Sequence, residues 1–161
     1  HNLIHFERDI IAPSLKILNV RGYEYTGYRS RIYDMRSYFA ENMRLLKHEN
    51  MEALFPEERP VYTKVHDEPP VRYAMDCKVD NCMVADGCVI EGEVENCVLF
   101  RGVKISKGAK VKNCILMQGT VVEAGCNVEY VITDKNVTIT QDKNLVGNES
   151  FPVYVQKGTT V

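Results

Sequence analysis

No stretch of this 161-residue chain stays apolar for the length a membrane span needs, and no signal-peptide pattern opens it. Lysine and arginine total 20 against 22 acidic residues, for a formal net charge of −2. No basic stripe interrupts that balance, so nucleic acid is not an expected partner. Six cysteines occur, yet none forms a CxxC pair or a Cys/His cluster. Free thiols in a reducing, cytoplasmic setting are therefore a better reading than a disulfide frame or a zinc site. Histidine is confined to His1, His5, His48 and His66. None of them reaches the part of the chain where the strongest pattern lies.

That pattern is a repeat. Units open at Asn81-Cys82, Asn96-Cys97, Asn113-Cys114 and, decayed, Tyr130-Val131, with starting points 15, 17 and 17 residues apart. Within a unit single aliphatic residues recur about every six positions: Leu99, Ile105 and Val111, then Leu116, Val122 and Val128. A helix would space them three or four apart, and a flat strand would alternate without interruption. Three short faces per turn, each burying one aliphatic side chain, fit the spacing of a β-solenoid. Gly87, Gly102 and Gly119 mark one corner, with Asn136 in the fourth unit, and Gly108 and Gly125 mark another. Turns about 4.8 Å apart would make a rod of roughly 20 Å and stack Cys82, Cys97 and Cys114 into a ladder closed by Val131. Such a rod leaves open edges that need a cap or a partner. Asn144 to Val161, with its strand-like Phe151–Val155, is the expected cap.

The first eighty residues read differently. Phe6 to Lys16 suits a short helix, and Ile17 to Tyr33 reads as two strands joined by a turn. A helical period begins with Asp34 as N-cap and carries Tyr38, Met43, Leu45 and Leu46 toward Met51 and Leu54. Pro56 to Pro60 ends it, and Pro69-Pro70 breaks the chain again. Residues 1–55 are thus expected to be one unit, 56–76 a linker and 77–161 the solenoid. The first unit could bury only a thin core of its own, and the chain starts at His1 instead of Met, so it reads as the end of a larger domain.

Several residues together resemble a known family: Gly27-Tyr28, a helix ending Glu41-Asn42-Met43-Arg44-Leu45-Leu46, then Val61-Tyr62-Thr63-Lys64, Glu68-Pro69-Pro70 and hexapeptide turns. In this order they are similar to the bacterial ADP-glucose pyrophosphorylase (glucose-1-phosphate adenylyltransferase) family, over about Phe6 to Gly158. The resemblance implies a mainly β fold, a left-handed parallel β-helix preceded by an α/β remnant of a nucleotidyltransferase domain. It also implies a place in bacterial glycogen biosynthesis. Catalytic members carry Gly-Tyr-Trp-x-Asp-(Val/Ile)-Gly-Thr where this chain has Gly27-Tyr28-Arg29-Ser30-Arg31-Ile32-Tyr33-Asp34. Arg31 takes the place of the aspartate that the family associates with metal and phosphates. A cation cannot replace a carboxylate as a Mg²⁺ ligand. The family's Gly-rich nucleotide loop is also not among these residues. The chain therefore looks like the non-catalytic, D-type subunits of the family. By itself it is expected to be catalytically silent and to hold no cofactor, with Mg²⁺ confined to a catalytic partner subunit in a hetero-oligomer, such as a tetramer.

Arg29, Arg31 and Arg36 around the altered loop, with Lys64 and Arg72 at the linker, are the candidate site for a sugar-phosphate effector. Plain surface charge is the competing reading for all five, and the sequence alone favours it. Asp76, Asp80 and Asp86 fall on different corners and read as solvated turns, not metal ligands. Tyr23, Tyr25, Tyr28 and Tyr33 read as strand packing. Two active-enzyme alternatives stay open: a fragment of a working adenylyltransferase, and a hexapeptide acyltransferase. The second needs a histidine base between coils, which the repeats do not supply.

Overall fold

In the computed structural model, which describes residues 4–161 and so leaves His1 outside, the chain from Arg72 onward winds into a parallel β-solenoid with three faces. The first face holds β1 (Arg72–Tyr73), β4 (Val89–Ile90), β7 (Lys104–Ile105), β10 (Val121–Val122) and β13 (Thr138–Ile139). On the second face lie β2 (Lys78–Asp80), β5 (Glu93–Glu95), β8 (Lys110–Lys112), β11 (Asn127–Glu129) and β14 (Asn144–Val146). The third is made of β3 (Met83–Val84), β6 (Val98–Leu99), β9 (Ile115–Leu116), β12 (Val131–Thr133) and β15 (Val153–Val155). Every pairing is parallel and in register, with Ile105 beside Val122, Val111 beside Val128 and Leu99 beside Leu116. These six side chains are at most 2% exposed, because each strand turns one aliphatic residue inward.

The solenoid is longer than the four repeats. Its first strand falls inside the segment read as linker. The tail does more than cap: β14 and β15 add a full rung, and Thr160 bridges to Thr138 beyond it.

All three corners use left-handed backbone. Gly102 (φ 67°) stands for the first, and the second runs Gly108, Gly125 and Asp142. The third corner is built without glycine, from Asn81, Asn96, Asn113 and Tyr130 at φ 47–52°. Asparagine tolerates this region better than most residues, and the ladder adds a bond between coils, with Asn81 Nδ2 donating to Asn96 Oδ1 at 2.7 Å.

The cysteine ladder is present. Cys97 and Cys114 are buried and Cys82 half-buried, each thiol donating to a carbonyl two residues back at 3.0–3.1 Å. All six cysteines are free. The Cys82 thiol is pushed up by its bond to Cys97 and by burial; burial pushes Cys97 and Cys88 up as well. Thiols held protonated in this way are structural, not nucleophilic.

Ahead of the solenoid, Phe6–Ile11 is helical with wide turns and runs into α1 (Ala12–Ser14). The two strands expected between Ile17 and Tyr33 do not form. That stretch opens on a turn, with the Ile17 and Leu18 amides donating to the Ser14 carbonyl, continues irregularly and has no partner strand among the described residues, and Ile17, Tyr23 and Tyr33 are 81%, 90% and 76% exposed. β-prone residues make strands only where another strand accepts their hydrogen bonds. The helical period from Asp34 breaks at Leu45–Lys47 into α2 (Met35–Arg44) and α3 (His48–Leu54).

Candidate interaction face and adjoining loop

The three outer faces differ in what they present. On the second, Lys78, Glu93, Glu95 and Lys112 point outward and pair along the sheet, Lys78–Glu93 at 3.4 Å and Lys112–Glu95 at 3.1 Å. Such exposed pairs add little stability but keep a sheet face in water. The first face is mixed, with Arg72, Val89, Lys104, Val121 and Thr138 in one outward row. On the third the outward row is Met83, Val98, Ile115 and Ile132, and it is covered. Phe39 of α2 packs into it at 3% exposure, with Tyr38, Met43, Leu46 and Tyr130 around it.

α2 starts where it does because of a reciprocal cap. The Asp34 carboxylate accepts the Ser37 amide at 2.6 Å, and Ser37 Oγ accepts the Asp34 and Tyr33 amides at 3.0 Å. The Ser37 hydroxyl and amide hold the Asp34 carboxyl below its ordinary 3.8. On the outer side of the helix, Arg44 Nη1 donates to both oxygens of Glu41 at 3.0 Å, and the Tyr28 hydroxyl donates to Glu41 at 3.3 Å. The Arg44 guanidinium lies 4.9 Å from the Tyr28 ring centre. Burial raises the Tyr28 phenol above its ordinary 10.0.

The five cations named from the sequence do not gather at one point. Arg29 and Arg31 lie on the exposed irregular segment, Arg36 in the first turn of α2, Lys64 in the irregular run before the solenoid, and Arg72 opens β1. All are exposed. None makes a side-chain hydrogen bond or ion pair among the described residues. Arg36 alone of the five borders one of the grooves around α2, a cavity of about 520 Å³ shared with Met35, Phe151 and Tyr154. A second groove, about 480 Å³, runs between Met43, Arg44 and Lys47 on the helix side and Asn81, Asn96 and Asn113 on the solenoid side. Between Gly27 and Asp34 the only carboxylate is that of Asp34, and the cap uses it. No group of three or more His, Cys, Asp or Glu able to hold a metal ion occurs among the described residues.

The sequence reading missed Phe39, Glu41, Arg44 and Tyr130 as the residues that join helix, loop and solenoid. One signal was available. On the third face three successive coils carry an aliphatic pair, Val98-Leu99, Ile115-Leu116 and Val131-Ile132, with one of each pair left over after the core is filled, whereas on the first face Val89-Ile90 and Val121-Val122 are separated by Lys104-Ile105.

This arrangement defines a hexapeptide-repeat solenoid with a helix seated on one apolar face. The GlmU-like, C-terminal hexapeptide family matches residues 66–150, and the chain belongs to it. It is 45% identical over 151 residues to glycogen biosynthesis protein GlgD of Bacillus subtilis (strain 168), a match covering 94% of this chain and 44% of that protein. GlgD of Geobacillus stearothermophilus is 56% identical over 70 residues, 44% of this chain and 20% of that one. Glucose-1-phosphate adenylyltransferase of the same organism is 36% identical over 112 residues, 69% of this chain and 29% of the enzyme. The chain thus spans less than half the length of these relatives, and the family seen in its residues is the one its relatives carry.

Proposed function

We propose that this chain is the C-terminal region of a non-catalytic subunit of glucose-1-phosphate adenylyltransferase in bacterial glycogen biosynthesis. It acts in the cytoplasm, in oligomer assembly and in modulation of a catalytic subunit. The observation that carries the reading is the loop from Gly27 to Asp34. It has Arg31 at the place where the family resemblance implies an aspartate in catalytic members, and its one acidic group caps a helix. Nothing in that loop suits a divalent cation, so Mg²⁺ belongs to the catalytic partner.

Similarity to glycogen biosynthesis protein GlgD over 94% of the chain supports the pathway. The exposed apolar residues from Ile17 to Tyr33 support a role in contact with other protein surface. The division into residues 1–55, 56–76 and 77–161 belongs to the same proposal. So does an anionic, sugar-phosphate effector near Arg29, Arg31 and Arg36 or near Lys64 and Arg72, within a hetero-oligomer such as a tetramer. Function is then conformational: the subunit shifts its partner's activity by binding it differently in different states.

ADP-glucose synthesis by the full-length protein should be measured alone and with its catalytic partner. The lone protein should be silent, and its addition should change the rate or effector response of the partner. Robust synthesis by the lone protein would refute the proposal. A second reading, a fragment of an active adenylyltransferase, draws on the 36% identity to the Geobacillus stearothermophilus enzyme. The same assay separates the two.

A further inference from the structure

At the third corner asparagine takes the left-handed conformation at Asn81, Asn96 and Asn113, and then Tyr130 takes it at φ 52°. A tyrosine has none of asparagine's local compensation, so the backbone there is strained and must be held by its surroundings. The neighbouring coils hold it, with the Tyr130 N–H donating to the Lys112 carbonyl at 3.2 Å and the Val153 N–H to the Tyr130 carbonyl at 3.0 Å, and this leaves the ring facing the helix. The Tyr130 and Phe39 rings lie 6.0 Å apart at 51°, within the range where aromatic pairs attract beyond their buried area. One rung of the ladder gives up backbone ease and gains an aromatic seat for α2.

We infer that Tyr130 is a positioning residue: its ring, presented from a strained corner, sets where α2 sits on the solenoid and through α2 sets the loop from Gly27 to Asp34. The route is contiguous. Phe39 meets Tyr130 on the inner side of the helix. On the outer side Glu41 accepts from the Tyr28 hydroxyl at 3.3 Å and from Arg44 at 3.0 Å, while Arg44 covers the Tyr28 ring at 4.9 Å. At the start of the helix Ser37 Oγ accepts the Tyr33 and Asp34 amides. Both ends of the loop are therefore tied to a helix that packs on the apolar row with Tyr130 at its edge. The inference rests on this geometry and is independent of the proposed function.

Amide hydrogen exchange on the full-length protein tests it, with three variants. Tyr130→Asn restores the ladder residue and removes the seat. Exchange in α2 and at the Tyr33 and Asp34 amides, the two in the loop that donate hydrogen bonds, should speed by roughly 2- to 12-fold, the loss of one aromatic pair. Exchange in β6, β9 and β10 should not change, and melting of the solenoid should not fall. Tyr130→Phe keeps the ring and should restore the parent exchange pattern. Phe39→Leu removes the ring from the helix side and should speed α2 and the loop together. Unchanged α2 exchange in Tyr130→Asn would overturn the inference. So would a fall in solenoid melting, since Tyr130 would then be part of the solenoid's own stability. If Tyr130→Asn does not fold, Phe39→Leu decides: Tyr33 and Asp34 amides that stay protected while α2 loosens sink the idea.

Discussion

At the level of single residues, the interval of 15 between the first two repeats has a cause. β4 reaches β5 through Glu91-Gly92 alone, whereas β7 reaches β8 through the four residues Ser106 to Ala109. The shortened corner lies directly against the next coil. A Cβ on Gly92 would collide with the Ala109 carbonyl oxygen and lie 2.9 Å from that of Ser106, both backbone atoms with little room to yield. Gly102 is a different case: a Cβ there meets nothing within 4 Å, and only its φ of 67° resists a side chain. Gly102→Ala should therefore cost about 1–2 kcal/mol, the left-handed penalty. Gly92→Ala should cost more, about 1–3 kcal/mol for overpacking and about 1 kcal/mol for the strained Glu93 N–H to Ala109 carbonyl bond. Urea denaturation of the two variants checks the order. The period displayed Gly102 at once, because it recurs. It hid Gly92, whose role arises from a gap in the period and from a neighbour 14 residues away at Ser106.

Among the elements, those that close their hydrogen bonds locally or along the repeat were legible, and those that need a distant surface were not. The six-residue spacing led directly to three parallel faces, and Asp34 was readable as a cap because capping is decided within four residues. Ile17 to Tyr33 has strand composition, but composition does not supply a partner strand. The seat of α2 was out of reach because its contacts, Val98, Ile115 and Ile132, are separated from Phe39 by at least 59 residues of chain, from 39 to 98. The cap itself gives α2 a pH dependence whose sign is set. Asp34 titrates below its ordinary 3.8, held down by the Ser37 hydroxyl and amide. Its contribution is complete above 3.8 and is lost as pH falls through the lowered value in the folded state. Exchange corrected for intrinsic rates should show the first turn of α2 opening as pH falls below 3.8, ahead of the β9 and β10 amides. Asp34→Asn, which cannot titrate, should remove that dependence. Equal opening in both proteins would show that another group governs the helix.

For the molecule as a whole, the solenoid has an inside and an outside that lie one residue apart. Ile115 and Leu116 are both fully buried, yet Leu116 points into the central stack with Leu99 and Val122, while Ile115 points out beneath Phe39. Burial alone does not distinguish them, but the way out to water does. A lysine at 116 would place an unpaired charge between stacked coils with no route to solvent short of unwinding them. A lysine at 115 needs only the helix to lift. Leu116→Lys should abolish cooperative melting and the β signal in circular dichroism. Ile115→Lys should keep both, lose α2 protection in hydrogen exchange, and bind a hydrophobic dye through the uncovered row of Met83, Val98 and Ile132. If Ile115→Lys also destroys the solenoid, α2 is part of its folding unit and cannot move independently of it. If α2 stays protected over a lysine, the apolar row is not what holds it. Retained coils with a released helix would establish that one face of this rod is a surface made to be covered, and that the helix is its first occupant.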